Sequence, residues 1–156
     1  MNQEHHNDTR VRIEMEWNDA MEELINSWKV MCAELSKKHE ESGYKNKQLY
    51  TFWALPNIML SIIMSGISGV FSENENIKYI TMTGFTVTGI LTGISNHFNF
   101  GMRQQQHFDY ANRFADLALE IESEMIKTKP FRQQADVFIT RIKMMLEHIQ
   151  CHAPNL

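Results

Sequence analysis

Residues 48–72 decide the fold. They read QLYTFWALPNIMLSIIMSGISGVFS and contain no Asp, Glu, Lys or Arg. As a helix rising about 1.5 Å per residue, this stretch would be about 37 Å long, enough to cross a hydrocarbon core of about 30 Å with some tilt. Residues 79–102, YITMTGFTVTGILTGISNHFNFGM, are equally free of these charges. Two core helices of a soluble bundle are the alternative, but such helices normally carry a charged face within two turns. Membrane spans are therefore favoured.

Only residues 73–78 separate the two stretches, and so short a connection makes the two helices antiparallel neighbours. We therefore predict an all-α membrane protein built on a two-transmembrane helical hairpin over residues 48–102. The spans are expected at about 51–71 and 79–100, with the tip at 73–78. A cytoplasmic bundle of long amphipathic helices would complete the fold.

The second span is only marginally hydrophobic. If it is helical, one side carries small and polar residues at spacings of three and four: Thr81, Gly84, Thr88, Thr92, Ser95 and Asn99. This stripe either packs, with its hydroxyls bonded to their own helix backbone, or lines a pore. Packing is favoured, although both can hold in an oligomer. Small residues that would allow close helix contact recur on both spans: Ser61, Ser65, Gly69, Gly89 and Gly93.

Three histidines lie near one end of the predicted spans. His97 is close to the cytoplasmic end of the second span, while His39 and His107 flank the pair on the same side. In one interpretation these are interfacial residues that hydrogen-bond between helices. In the other, His97 is a candidate gate that opens or closes on protonation.

The flanking segments predict amphipathic helices. Residues 1–8 are expected to be disordered, residues 9–47 to form an N-terminal helix ended by Gly43, residues 103–151 to form two cytoplasmic helices, and residues 152–156 to be a tail. The N-terminal helix has a heptad seam that predicts a bundle or oligomer contact: Trp17, Met21, Leu24, Trp28, Met31 and Leu35.

Charge gives the orientation and limits the partners. Four lysines over residues 37–47 precede the first span and two arginines at 103 and 113 follow the second, so the positive-inside rule puts both termini in the cytoplasm of a multi-pass protein. The net charge of −4 and the lack of a basic stripe argue against nucleic acid as a partner. No catalytic, cofactor or metal motif occurs, so we expect no enzyme; the expected partners are the lipid bilayer, further copies of the chain and possibly a larger protein assembly.

The order of these features resembles the SLATT family. The similar positions are Ala33, His39-x-x-Ser42-x-Tyr44, Leu55-Pro56, Ser61, Gly66, His107, Phe114, Leu117, Ile121 and Ala153-Pro154. SLATT domains are two-transmembrane helical proteins, many of which accompany bacterial nucleotide-dependent defence modules and are proposed to be membrane-perturbing or pore-forming effectors. Related stand-alone proteins occur in large DNA viruses and their hosts.

The resemblance implies an oligomeric two-span protein that forms a pore or perturbs the membrane. The alternative is a structural membrane protein that anchors a larger assembly, such as a viral inner membrane or capsid. A soluble helical adaptor is the third hypothesis, and the uncharged stretches favour it least.

Overall fold

The computed structural model describes residues 16–70 and 75–156. These residues form four α-helices and a short 3-10 turn, and no β-strand occurs among them. In chain order the elements are α1 (Asp19–Val70), α2 (Glu75–Phe98), α3 (Phe100–Met125), the 3-10 turn (Lys129–Phe131) and α4 (Ala135–His152). The predicted all-α class is confirmed. The predicted disorder of residues 1–8 lies outside the described residues.

The first helix, α1, is unbroken over 52 residues, and at about 1.5 Å per residue it is about 78 Å long. Asn18 caps its start, since Asn18 Oδ1 accepts a hydrogen bond of 2.9 Å from the Met21 backbone N–H. The prediction of a continuous helix from residue 9 is wrong, because residues 16–18 are not helical. Residues 9–15 lie outside the described part of the chain.

The predicted helix end at Gly43 is also wrong, and with it the boundary at residue 47. α1 continues through Gly43, which is buried against α3. A Cβ atom at this position would lie 2.9 Å from Cε1 of Phe108, closer than side chains tolerate. Gly43 therefore allows α1 and α3 to approach closely, which a residue with a side chain would prevent.

α1 runs antiparallel to α2 and then to α3. Residue numbers in contact fall along α1 as they rise along the partner helices. Met64 lies over Gly84, Asn57 bonds to Thr92, and His39 bonds to His107. The two uncharged stretches are thus neighbours, as their short connection predicts. The first turn of α2 begins at Glu75, so residues 75–78 are helical and the predicted tip of 73–78 is too long.

The chain bends at Asn99, between α2 and α3. Asn99 has a left-handed backbone conformation, with φ 49° and ψ 38°, which asparagine adopts more readily than most residues. The Phe98 and Phe100 rings stack across the bend, 5.4 Å apart. The second uncharged helix therefore ends at Phe98 rather than at residue 100, and Asn99 supplies the bend.

The N-terminal half of α1 packs with α3 and α4 around one hydrophobic core. Its largest fully buried side chains come from all three helices: Ile25, Cys32, Phe114, Leu117, Ile121, Phe138 and Ile142. Burial in this core raises the pKa of the Cys32 thiol to about 11, because a thiolate would lose its hydration there. The predicted helical bundle beside the uncharged pair is therefore present.

The seam differs from its prediction at two positions: Trp17 lies before α1, and Ile25 replaces Leu24 in the buried line. Leu24 is 42% exposed, whereas Ile25 is fully buried. Trp17, Trp28, Met31 and Leu35 pack against the core while partly buried, and Met21 is half-buried. The buried line follows Ile25, Cys32, His39 and Gly43. Leu24 was expected at the centre of the seam, but the packing direction of α3 and α4 selects the neighbouring residue.

Arg132, in the segment between α3 and α4, bonds to α1 and to the end of α3 at the end of the bundle far from the uncharged pair. Its guanidinium donates to Glu22 Oε1 at 2.8 Å and to the Met125 carbonyl at 2.9 Å, and Arg132 Nε donates to the Lys127 carbonyl. It also lies over the Trp17 ring, 5.5 Å from the ring centroid. The Glu22 carboxylate has a lowered pKa because it accepts hydrogen bonds from Lys129 and Arg132.

Arg132→Ala should destabilise the protein by about 1–3 kcal/mol, because it leaves the Met125 and Lys127 carbonyls without their charged donor. The matched control is Lys143→Ala, whose exposed ion pair with Glu147 is worth under about 0.5 kcal/mol. Chemical unfolding of the detergent-purified chain measures both. Equal effects from the two changes would mean that Arg132 does not hold the helices together.

Candidate functional site

A buried histidine pair lies where the helical bundle meets the uncharged helices. His39 on α1 and His107 on α3 place their Nδ1 atoms 3.1 Å apart. Their side chains are only 2% and 6% exposed. One ring must donate a proton at Nδ1 while the other accepts, so the bond cannot form when both rings are fully protonated. The predicted hydrogen bonding between helices is confirmed for these two residues.

Aromatic rings and a close helix contact enclose the pair. His39 stacks on Phe114, with centroids 5.6 Å apart and planes at 18°, and Tyr110 lies on another side of it. One turn away, the Ser36 hydroxyl donates to the Ala111 carbonyl at 2.8 Å. The contact of Gly43 with Phe108 closes the other side. These contacts hold α1 against α3 at a fixed register.

Burial and positive charge both disfavour protonation of this pair. Burial lowers the pKa of His39, and the nearby His107 lowers it further. The pKa of His107 is lowered by burial and then by the Arg103 guanidinium. The pair is therefore held in its neutral, hydrogen-bonded form. Among the described residues, no group of three side chains is arranged to hold a metal ion.

Most of the predicted polar stripe of α2 faces α1. Thr81 is buried, and Gly84, Thr88 and Ser95 are partly buried. The Thr88 hydroxyl donates to the Gly84 carbonyl at 2.9 Å, and Thr92 donates to the Thr88 carbonyl at 2.8 Å. These hydroxyls bond to their own helix, which is what the packing interpretation expects.

The other two members of the stripe have different positions. Thr92 is exposed on its outer side and accepts the bond from Asn57, while Asn99 is the exposed bend residue. His97, the candidate gate, is exposed and makes an edge contact with the ring of its neighbour Phe98. No hydrogen bond joins it to another helix within the described part of the chain.

The predicted helix-contact residues are mostly on the outside. Gly69, Gly89 and Gly93 have open space where a Cβ would be. Ser65 is exposed, and Ser61 bonds to the Asn57 carbonyl of its own helix. Gly84 provides the glycine contact between α1 and α2 instead, since it lies under Met64. Gly89 and Gly93 therefore form an outer face of α2 that no residue in the described part of the chain covers.

Asn57 is a polar contact between α1 and α2 that sequence reasoning missed. Its Nδ2 donates to Thr92 Oγ1 at 2.8 Å, and its Oδ1 is buried without a partner among the described residues. The available signal was an asparagine in the middle of an uncharged run, directly after Pro56. Such a residue needs a partner helix.

The uncharged part of the molecule is apolar on its outer surface. Among the described helices, α1 meets the length and composition needed to cross a membrane, and α2 falls short of the same measure. Helices of soluble proteins can meet this measure as well, so the finding bears on composition alone. Comparison with protein-family models, curated proteins and solved structures found no match. The resemblance to the SLATT family stays a prediction.

The buried histidines predict how stability depends on pH. Their pKa values in the folded chain lie below the ordinary 6.5, so the unfolded chain binds more protons at acidic pH. Their contribution is fully present above about pH 6.5 and is lost as the pH falls through the lower pKa of the folded pair. The melting temperature should fall over this range more steeply in the natural chain than in His39→Gln/His107→Gln.

The matched control for this measurement is His148→Gln, at an exposed histidine of α4. It should keep the steep decline of the natural chain. If the double variant has the same pH profile as the natural chain, the pair does not control acid stability.

Proposed function

We propose that this chain is an integral membrane protein whose two uncharged helices cross the bilayer as a hairpin, and that copies associate to perturb or permeabilise the membrane. The observation that carries the proposal is the apolar outer surface of both helices. Large side chains that are 43–69% exposed cover it: Phe52, Leu55, Ile58, Met59, Ile62, Ile63, Tyr79, Ile80, Met82, Phe85, Val87 and Ile90. In water, so large an exposed patch would drive association; in lipid it is the surface expected of a span.

Satisfied polar groups support the same proposal. A helix in lipid must satisfy its polar groups internally, because no water is available. The threonine hydroxyls on both faces of α2 do this: Thr83 and Thr86 donate to carbonyls four residues earlier at 2.9 Å, as Thr88 and Thr92 do. The marginal hydropathy of α2 is thus offset by bonding its side chains to its own backbone. Its partner α1 supplies the stronger span.

Charge supports an orientation with the bundle in the cytoplasm. Lys45, Lys47 and Arg103 lie at the bundle end of the helix pair, against Lys78 with Glu75 at the opposite end. The positive-inside rule then gives two spans with both termini cytoplasmic. Both ends of the described chain lie on the bundle side, because the unbroken α1 leads from the bundle into the hairpin and α2 returns to it. This topology agrees with two termini on one side of a membrane.

We expect further copies to pack on the outer face of α2. Gly89 and Gly93 are one turn apart with open space above both, and small residues at this spacing let helix backbones approach closely in lipid. Thr86 and Asn96 are exposed on the same side of the helix. A water path would therefore form between chains, on this face, rather than along the stripe packed on α1.

A membrane anchor for a larger assembly is the second candidate. It is favoured by the packing of Thr88 and Ser95 on α1, since a stripe used for packing needs no aqueous pore. Vesicle leakage separates the two candidates, because an anchor needs only insertion and assembly. The same experiments also test the hypothesis of a soluble adaptor.

Membrane topology is tested with single cysteines. Cys151 is exposed on the bundle side, while Cys32 is buried and its pKa of about 11 makes it unreactive. An impermeant thiol reagent on intact cells should not label the natural chain, but should label Glu75→Cys/Cys151→Ser. Permeabilised cells should show Cys151 labelled. Labelling of Cys151 on intact cells would contradict the orientation, and extraction of the protein by alkaline carbonate would contradict insertion.

Vesicle leakage tests the pore. The natural chain, reconstituted in dye-loaded vesicles, should release dye and form oligomers by cross-linking. Gly89→Leu should reduce both, since a bulky side chain keeps helices apart. Gly66→Leu is the matched control, because its Cβ also meets open space but on α1. Thr88→Val, on the packed face, should leave leakage unchanged. Tight vesicles containing assembled protein would favour the anchor instead.

A further inference from the structure

A groove beside the histidine pair has the chemistry of an anion site. It has a volume of about 480 Å³, within the roughly 300–1,000 Å³ of small-molecule sites. α1, α3 and the residues after α4 form its walls. The lining consists of Ser42, Lys45, Asn46, Arg103, Gln106, His107, Pro154, Asn155 and Leu156. No Asp or Glu side chain is among them.

Neither cation of the groove forms an ion pair among the described residues; Lys38 and Lys47 are unpaired as well, but only Lys45 and Arg103 line the groove. Most basic residues at the opposite end of the bundle pair with carboxylates: Lys127, Lys129, Arg132 and Arg141 each have an acidic partner within 3.7 Å. Within residues 16–70 and 75–156, Lys45 and Arg103 have no such partner. Two like charges that line one groove repel each other, and an anion bound between them would offset this repulsion.

The remaining lining groups are suited to an oxyanion. Arginine presents a fork of N–H donors that matches phosphate, and lysine adds a compact charge. The amides of Asn46, Gln106 and Asn155 and the Ser42 hydroxyl can donate further hydrogen bonds. His107 is 94% buried, its Nδ1 bonds to His39, and its ring also lines the groove.

We infer that the groove between Lys45 and Arg103 binds a phosphate group, carried by an anionic lipid headgroup or by a soluble phosphate compound. In the membrane orientation set out under Proposed function, on which the lipid source rests, the groove lies at the cytoplasmic boundary. Lys45 is three residues before the uncharged stretch of α1, and Arg103 is four residues after the bend. Headgroup phosphates occupy this depth, where basic residues attract anionic lipids.

The test uses the full chain purified in detergent. Native mass spectrometry counts bound phosphatidic acid and, separately, phosphatidylcholine; a thermal shift with inorganic phosphate against chloride at equal ionic strength measures the soluble source. We expect one phosphatidic acid per chain in preference to phosphatidylcholine. Lys45→Gln/Arg103→Gln should weaken this binding by roughly tenfold to hundredfold, since each lost charged hydrogen bond is worth about a factor of ten.

The matched control is Lys38→Gln/Lys47→Gln. It removes the same charge from exposed positions of the same helix that do not line the groove, and it should bind as the natural chain does. Binding of phosphatidic acid alone supports a lipid site; binding of inorganic phosphate as well, or instead, supports a phosphate site open to soluble ligands. Equal weakening in both double variants, or no phosphate binding at all, overturns the inference.

Failure of this inference and failure of the proposed function give different results. If the groove variants insert in membranes and release dye normally but bind phosphate like the natural chain, only the groove assignment fails. If the chain does not insert in membranes at all, the proposed function fails, while the inorganic phosphate measurement in detergent still tests the groove.

Discussion

The close contact of α1 with α3 at His39, Gly43 and Phe108 fixes the helical bundle relative to the uncharged pair of helices. α1 belongs both to the bundle and to the uncharged pair, and a helix about 78 Å long gains most of its order from what it packs against. At this junction a buried imidazole pair bridges the helices, and Gly43 lets them meet against the Phe108 ring. The hydrogen bond between His39 and His107 is directional, so it fixes how far α1 is shifted along α3. The core around Ile25 and Phe114 packs at this same register.

Charged side chains are paired differently at the junction and at the far end of the bundle. At the far end, Arg132 pairs with Glu22 and Lys127 pairs with Glu124. Burial raises the pKa of Glu124, but its hydrogen bonds to Lys127 and to the Gln133 amide outweigh this and lower it overall. At the junction, by contrast, Arg103 and Lys45 line one groove beside the neutral His107, and no Asp or Glu side chain is among the groove-lining residues. The basic side chains are thus paired with carboxylates at the far end of the bundle, whereas Lys45 and Arg103 at the junction are not.

Polar side chains of the uncharged pair bond to the helices themselves instead of facing outward unpaired. Hydroxyls of α2 bond to their own backbone, and Asn57 bonds across to Thr92. What is left outside is an apolar surface with one small-residue face around Gly89 and Gly93. In the proposed membrane arrangement, such a helix pair would meet lipid on most sides and another helix on one side. Any water path would have to be built between chains.

The sequence alone determined the helical class, the antiparallel pair and the presence of a bundle, because apolar periodicity and the absence of charge depend only on residue order. It could not choose between Leu24 and Ile25, since both lie within one helical stripe and only the direction of α3 and α4 buries one of them. It could not give Gly43 its role either, because a glycine that ends a helix and one that admits a neighbouring ring are the same in sequence. The polar stripe of α2 was visible, yet the position of α1 decided that Thr81 and Thr88 pack inward and that Gly89 and Gly93 face outward. His39 and His107 are 68 residues apart along the chain. Only the fold brings their nitrogens together and places Lys45 and Arg103 beside them, because such contacts depend on three helices meeting and not on the pattern of any one.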